Sequence, residues 1–170
     1  MSNPPVKPKL VLIGNGMAGV RTVEELLKIK PDHYDITIFG AEPHPNYNRI
    51  LLSPVLAGEM TIQEIVRNEL DWYQQHNITL HTGKQISKID RVKRKVIAED
   101  GTEEAYDRLL IATGSTPFML PIPGNDLPGV HLSTDLLRSI SLSQNISLGK
   151  KVLVLGGGNV AMDVARSVMR

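Results

Sequence analysis

Leu10-Val11-Leu12-Ile13-Gly14-Asn15-Gly16-Met17-Ala18-Gly19 is an apolar run that ends in three glycines, and it decides how the rest of the chain is read. A short apolar run ending in a glycine turn predicts a buried strand of a parallel sheet. After the glycines, Val20, Val23, Leu26 and Leu27 fall on one helical face, while Arg21, Glu24, Glu25 and Lys28 take the other, with Glu24 and Lys28 spaced for an ion pair. A strand, a tight turn and an amphipathic helix in that order aim backbone N–H groups and the positive end of the helix dipole at one point, which suits a pyrophosphate. Gly14 permits the turn, Gly16 lets the backbone approach a phosphate, and Gly19 lets helix and strand pack closely.

The pattern recurs. Val152-Leu153-Val154-Leu155 leads into Gly156-Gly157-Gly158-Asn159-Val160-Ala161. One such fingerprint suggests a dinucleotide site, and two suggest a pair of dinucleotides exchanging electrons. Between them, Pro31 stops the first helix and Ile36-Thr37-Ile38-Phe39 reads as a second strand, parallel to the first because a helix connects them. Glu42 follows that strand, where a carboxylate can accept from the ribose hydroxyls of an adenosine. Thr61 and Glu64 form a capping box, and Ile62, Ile65, Val66, Leu70 and Tyr73 supply an apolar stripe, so one helix is expected from there to near His76, with Trp72 and Tyr73 as packing residues. Ile78-Thr79-Leu80-His81-Thr82 reads as the third strand of the parallel sheet. Residues 84–111 read as an antiparallel meander returning to that sheet, with a turn at Asp100-Gly101. Residues 116–129 are rich in proline and read as an irregular connection, and Ser133-Thr134-Asp135 offers caps for a helix through Ile140.

The bulk numbers narrow the function. A chain of 170 residues with 41% apolar content can bury one sizeable core. Its net charge of +1 gives no sign of a nucleic-acid or membrane surface, and the basic stretch Arg91-Val92-Lys93-Arg94-Lys95 reads as a solvated hairpin tip. With no cysteine there is no disulfide, thiolate metal site or redox-active thiol pair, so any redox chemistry must reside on a bound cofactor. The five histidines have no metal-ligand spacing, and no metal is expected. Neither a membrane-length apolar run nor a leader is visible, which gives the expectation of a cytoplasmic protein.

Four motifs in order carry a resemblance: Ile13-Gly14-Asn15-Gly16-Met17-Ala18-Gly19, Phe39-Gly40-Ala41-Glu42-Pro43-His44, Tyr47-Asn48-Arg49-Ile50-Leu51-Leu52-Ser53, and Tyr106-Asp107-Arg108-Leu109-Leu110-Ile111-Ala112-Thr113-Gly114. Residues 9–123 resemble the FAD-binding part of the pyridine-nucleotide-dependent flavoprotein reductases, and in particular that of the assimilatory nitrite reductase large subunits. The resemblance implies a three-layer, Rossmann-like α/β fold that binds FAD and NAD(P)H and carries an antiparallel β-meander. It also implies contacts to FAD from Gly14, Gly16, Met17, Ala18, Gly19, Glu42, Ala112, Thr113 and Gly114, with Arg49 and Ser53 on the segment lining the flavin ring. A cation at Arg49 would also stabilise the charge of a reduced flavin. The second fingerprint is similar to the NAD(P)-binding turn of the same reductases, implying contacts from Gly156, Gly158, Asn159 and Val160. Its Ala161 and Asp163 depart from the nitrite reductase pattern and look more like the glutamate synthase small subunit.

The expected function is that of an NAD(P)H-dependent flavoprotein oxidoreductase, in which hydride passes from NAD(P)H to FAD and electrons leave to a downstream acceptor. The expected organisation is an FAD-binding domain over residues 1–145, without its usual C-terminal segment, and the start of an NAD(P)-binding domain over 146–170. Such a truncated chain is expected to bind NAD(P)H weakly or not at all, to be inactive alone, and to form a homodimer or seek a partner chain. The alternative is a catalytically inactive nucleotide-binding or assembly module that needs such a partner.

Overall fold

The computed structural model describes residues 6–56, 58–116, 118–132 and 150–168. The chain divides into two compact units, one of Met1–Tyr47 with Val66–Gly114 and the other of Asn48–Ile65 with Ser115–Arg170.

The first unit is built outward from the glycine-ended strand, β1 (Lys9–Ile13), which leads into helix α1 (Met17–Ile29). β2 (Asp35–Phe39) then lies parallel to β1, in register from Lys9 opposite Asp35 to Ile13 opposite Phe39. Later elements widen this βαβ unit. The order of the parallel sheet is β3 (Ile78–His81), β2, β1, and then Arg108–Ile111, the strand labelled β7 below. A separate antiparallel sheet is made of β4 (Ile86–Asp90), β5 (Lys95–Ala98) and β6 (Glu103–Ala105), so the meander returns to the core as β7 pairing parallel with β1.

Side chains alternate across β1, and each face of the sheet gains a cover. Leu10 and Leu12 pack with Val23 and Leu27 of α1 and with buried Tyr73, while Val11 and Ile13 pack with Phe39 and with Val96 of β5. Helices, parallel sheet and antiparallel sheet therefore form three layers, and the apolar run of β1 is continuous because both its faces are covered. On α1 the ion pairs differ from the expected spacing: Lys28 reaches Glu25 at 2.9 Å rather than Glu24, whose carboxylate is taken by Arg21 and Asn68. The basic tip at residues 91–94 is an exposed turn, as expected.

Two further expectations change. The helix expected from the capping box to His76 is two, α3 (Ile62–Ile65) in the second unit and α4 (Leu70–Gln75) in the first. Between them the backbone is diverted: Val66 forms an antiparallel bridge with Tyr47, and Arg67 N–H donates to the Asn46 carbonyl at 2.9 Å. Groups spent on that pairing cannot continue a helix. The capping box itself is formed, Glu64 accepting from the Thr61 N–H at 2.6 Å and Thr61 Oγ1 accepting from the Glu64 N–H at 3.4 Å. Residues 151–155 do not form the expected strand: no described segment pairs with them, and a strand exists only through its ladder. The helix expected through Ile140 lies outside the described residues.

The second unit also contains a 3₁₀ turn at Arg49–Leu51, then α2 (Leu52–Leu56) and α5 (Asn159–Val168), with α5 beside α2. No helix among the described residues is long and apolar enough to cross a membrane.

Candidate functional site

The glycine turn sits at the carboxyl end of β1, wedged between the neighbouring strands. Gly14 N–H donates to the Phe39 carbonyl at 2.8 Å on one side, and on the other a Cβ added at Gly14 would overlap the Ala112 carbonyl. The turn places Gly14 at φ +109°, a conformation that L side chains rarely adopt. Gly19 is also closed, since a Cβ there would lie 2.7 Å from the Gly14 carbonyl oxygen.

Gly16 is the opposite case. Nothing lies within 4 Å of where its Cβ would be, and its backbone is extended at φ −92°. As N-cap of α1 it has no side chain to cap the first turn, which also carries no acidic residue. The first N–H groups of α1, beginning at Met17 and Ala18, therefore lack intrahelical partners and carry the positive end of the helix dipole. An anionic group that can accept several N–H bonds fits this turn.

Glu42 lies on the loop after β2, half-buried. That loop is pinned on both sides of the carboxylate: Gly40 N–H donates to His81 and Gly83 N–H donates to the Glu42 carbonyl, at 2.8 and 2.9 Å. The buried Tyr47 donates its hydroxyl to Glu42 Oε2 at 2.9 Å, which fixes the carboxylate's orientation. Asn15, inside the glycine turn, is held similarly. Tyr73 Oη donates to Asn15 Oδ1 at 2.9 Å, and the space in front of Gly40 is closed by Asn15 Cβ at 2.9 Å. Burial pushes the Tyr73 phenol above its ordinary value, so it stays a donor at neutral pH. Neither tyrosine hydroxyl stands out when the chain is read residue by residue. Their signal is a tyrosine where phenylalanine would serve an apolar position equally well.

Gly14, Gly16, Met17, Ala18, Gly19, Glu42, Ala112, Thr113 and Gly114 all belong to the first unit, gathered around the ends of β1, β2 and β7. Arg49, Ser53, Gly156, Gly158, Asn159 and Val160 belong to the second. There Arg49 opens the 3₁₀ turn, which Asn48 Oδ1 caps by accepting from the Ile50 N–H at 3.1 Å. Ser53 on α2 donates to Asp163 of α5 at 3.2 Å. Gly156 repeats the positive backbone of Gly14, at φ +137°, and α5 begins three residues later at Asn159. Among the described residues no cluster of His, Asp and Glu could hold a metal ion.

Comparison with known proteins supplies the family. The chain is 47% identical over 163 residues to a nitrite reductase [NAD(P)H] of Bacillus subtilis (strain 168), covering 96% of this chain and 20% of that protein. It is 45% identical over 159 residues to the assimilatory nitrate reductase electron transfer subunit of the same organism, covering 94% of this chain and 21% of the relative. It spans about a fifth of the length of these curated relatives. Among solved structures, the NADH:rubredoxin oxidoreductase of Clostridium acetobutylicum superposes with a TM-score of 0.75 at 25% identity, over 96% of this chain and 42% of that one. Residues 8–170 match the sequence profile of one family throughout, from the first glycine turn to the second, and the chain belongs to the pyridine nucleotide-disulphide oxidoreductases.

Proposed function

We propose that the first unit binds FAD and that the chain is the flavin-binding part of an NAD(P)H-dependent reductase. The observation that carries this reading is the glycine turn at Gly14–Gly19: an uncapped helix start facing open space at Gly16, beside a carboxylate fixed by Tyr47. In this reading the N–H groups of Met17 and Ala18 hold the pyrophosphate, Glu42 accepts from the adenosine ribose hydroxyls, and Ala112, Thr113 and Gly114 close over the phosphates. When bound, FAD supplies a two-electron acceptor for hydride from NAD(P)H. Arg49 and Ser53 are assigned to the flavin side, where the Arg49 guanidinium balances negative charge. Gly156, Gly158, Asn159 and Val160 are assigned to the pyrophosphate of NAD(P)H, supported by the positive φ at Gly156 and the helix that follows.

Transfer of electrons to a downstream acceptor rests on the names of the relatives, nitrite reductase and nitrate reductase electron transfer subunit. Association with a second copy or a partner chain is supported by Leu153, Leu155 and Met162, all more than half exposed.

FAD titration of the wild type and of Glu42→Ala tests the assignment. Loss of hydrogen bonds to a charged group is worth about 1.5 to 3 kcal/mol, so the variant should bind roughly 10- to 150-fold more weakly. Equal affinities would remove Glu42 from the site, and no flavin uptake by the wild type would overturn the reading.

A further inference from the structure

Asn15 stands between Gly14 and Gly16 in the glycine turn, and its side chain bonds across to the loop that follows β2. Its Nδ2 reaches the His44 carbonyl at 3.5 Å, and its Oδ1 accepts from the Tyr73 hydroxyl at 2.9 Å. The chemistry of these neighbours leaves one arrangement. A carbonyl can only accept, so the amide nitrogen must face His44 and the amide oxygen must face Tyr73, whose hydroxyl then has to donate. Tyr73 is 2% exposed and packs with Leu12, Val23 and Ile38, so packing sets where that hydroxyl lies.

The two turns also meet directly. Gly40 follows β2, and a Cβ there would stand 2.9 Å from Asn15 Cβ. The Gly40 carbonyl accepts from the Lys84 N–H at 2.8 Å while its own N–H is bonded to His81, so the loop carrying Glu42 is fixed to the end of β3. Glu42 and His44 are two residues apart on that loop. One side chain inside the glycine turn therefore sets the separation between the Glu42 carboxylate and the N–H groups at the start of α1.

We propose, on the flavin reading given above, that Asn15, held by Tyr73, is a positioning residue that locks the glycine turn to the Glu42 loop, so that the pyrophosphate and the adenosine ribose of one ligand are gripped as a unit. A preset separation lowers the cost of binding only for a ligand that spans both contacts. Each contact alone works as well on a loose frame. The Tyr73 hydroxyl therefore matters to FAD only while Glu42 is there to be positioned.

The test is a double-mutant cycle read by FAD titration of the whole chain, with melting temperatures measured alongside. Tyr73→Phe keeps the ring in the core and removes only the donor, and it should weaken FAD binding roughly five- to tenfold. Asn15→Ala should do the same, and adding Tyr73→Phe to it should cost less than about twofold more, because the hydroxyl acts through Asn15. In a Glu42→Ala background, Tyr73→Phe and Asn15→Ala should each cost less than about twofold. A residue that merely supported the fold would weaken FAD by the same factor with or without Glu42. Losses that multiply in this way overturn the proposal, as do wild-type affinities in Tyr73→Phe and Asn15→Ala. If Tyr73→Phe lowers the melting temperature too far for titration, the cycle of Asn15→Ala with Glu42→Ala carries the same decision. No flavin uptake by the wild type removes the flavin reading and this one with it, whereas uptake with independent losses removes this one alone.

Discussion

Gly14 and Gly16 are two residues apart and should fail in opposite ways. Alanine at 14 must adopt φ +109° and set its methyl into the Ala112 carbonyl, so the chain must move or unfold. We expect Gly14→Ala to cost more than about 3 kcal/mol, read as a large fall in the melting temperature. Alanine at 16 has extended backbone and open space, so Gly16→Ala should change stability by less than about 1 kcal/mol while its methyl occupies the place of a bound phosphate. Loss of flavin uptake at an unchanged melting temperature is the expected signature. At Glu42 the orienting hydroxyl can be removed alone: Tyr47→Phe should weaken FAD roughly 5- to 10-fold, the equivalent of about 1 kcal/mol, and less than Glu42→Ala does. A Tyr47→Phe titration that overlays the wild type would show that the carboxylate needs no guide.

Elements carry their own test in the capping box. Thr61→Ala removes the hydroxyl that accepts from Glu64 N–H, and it should cost about 0.5 to 2 kcal/mol by urea unfolding. The box was legible because it is a local pattern: Thr61 and Glu64 find each other within one turn. The same holds for β1, α1 and β2, whose apolar spacing and glycines report directly on adjacent structure. What followed the box was not legible. Ile62, Ile65, Val66, Leu70 and Tyr73 keep a helical period, yet the helix stops because Val66 and Arg67 spend backbone groups on Tyr47 and Asn46, a tertiary pairing invisible to periodicity. Residues 152–155 are the converse, with strand composition and no described partner to make a strand of them. The glycines of the candidate site could be read from spacing, whereas the hydrogen bonds from Tyr47 to Glu42 and from Tyr73 to Asn15 could not, since Tyr73 and Asn15 come together only in the folded unit.

Across the whole molecule, charge sets the pH range of stability. Glu24, Glu25, Glu64, Asp90 and Asp100 all have carboxyls held below their ordinary values of 4.5 for Glu and 3.8 for Asp, by Asn68, Lys28, the Thr61 backbone, the Lys93 backbone and Lys84 respectively. A lowered folded pKa gives stability that is complete above the ordinary value and lost as pH falls through the lowered one. Lys9 is raised above 10.5 by Glu104, and its contribution is complete below that value and lost as pH rises through the raised one. The melting temperature should therefore be flat from about pH 5 to 10 and fall on the acid side below about pH 4. A melting temperature that held unchanged down to about pH 2 would contradict this. The parallel sheet sets a second whole-molecule property, the order in which things happen in time. β1 is among the first segments of the chain, but one of its two neighbours, β7, is the last strand of its unit, with Leu10 opposite Arg108. Until that distant pair closes, Ala112 is absent from beside Gly14 and the glycine turn lacks its wall on that side. Distant parallel pairing is slow, so the turn is completed late in folding. A ligand of this turn then acts after the rate-limiting step: in stopped-flow mixing, FAD should leave the refolding rate unchanged and slow unfolding alone.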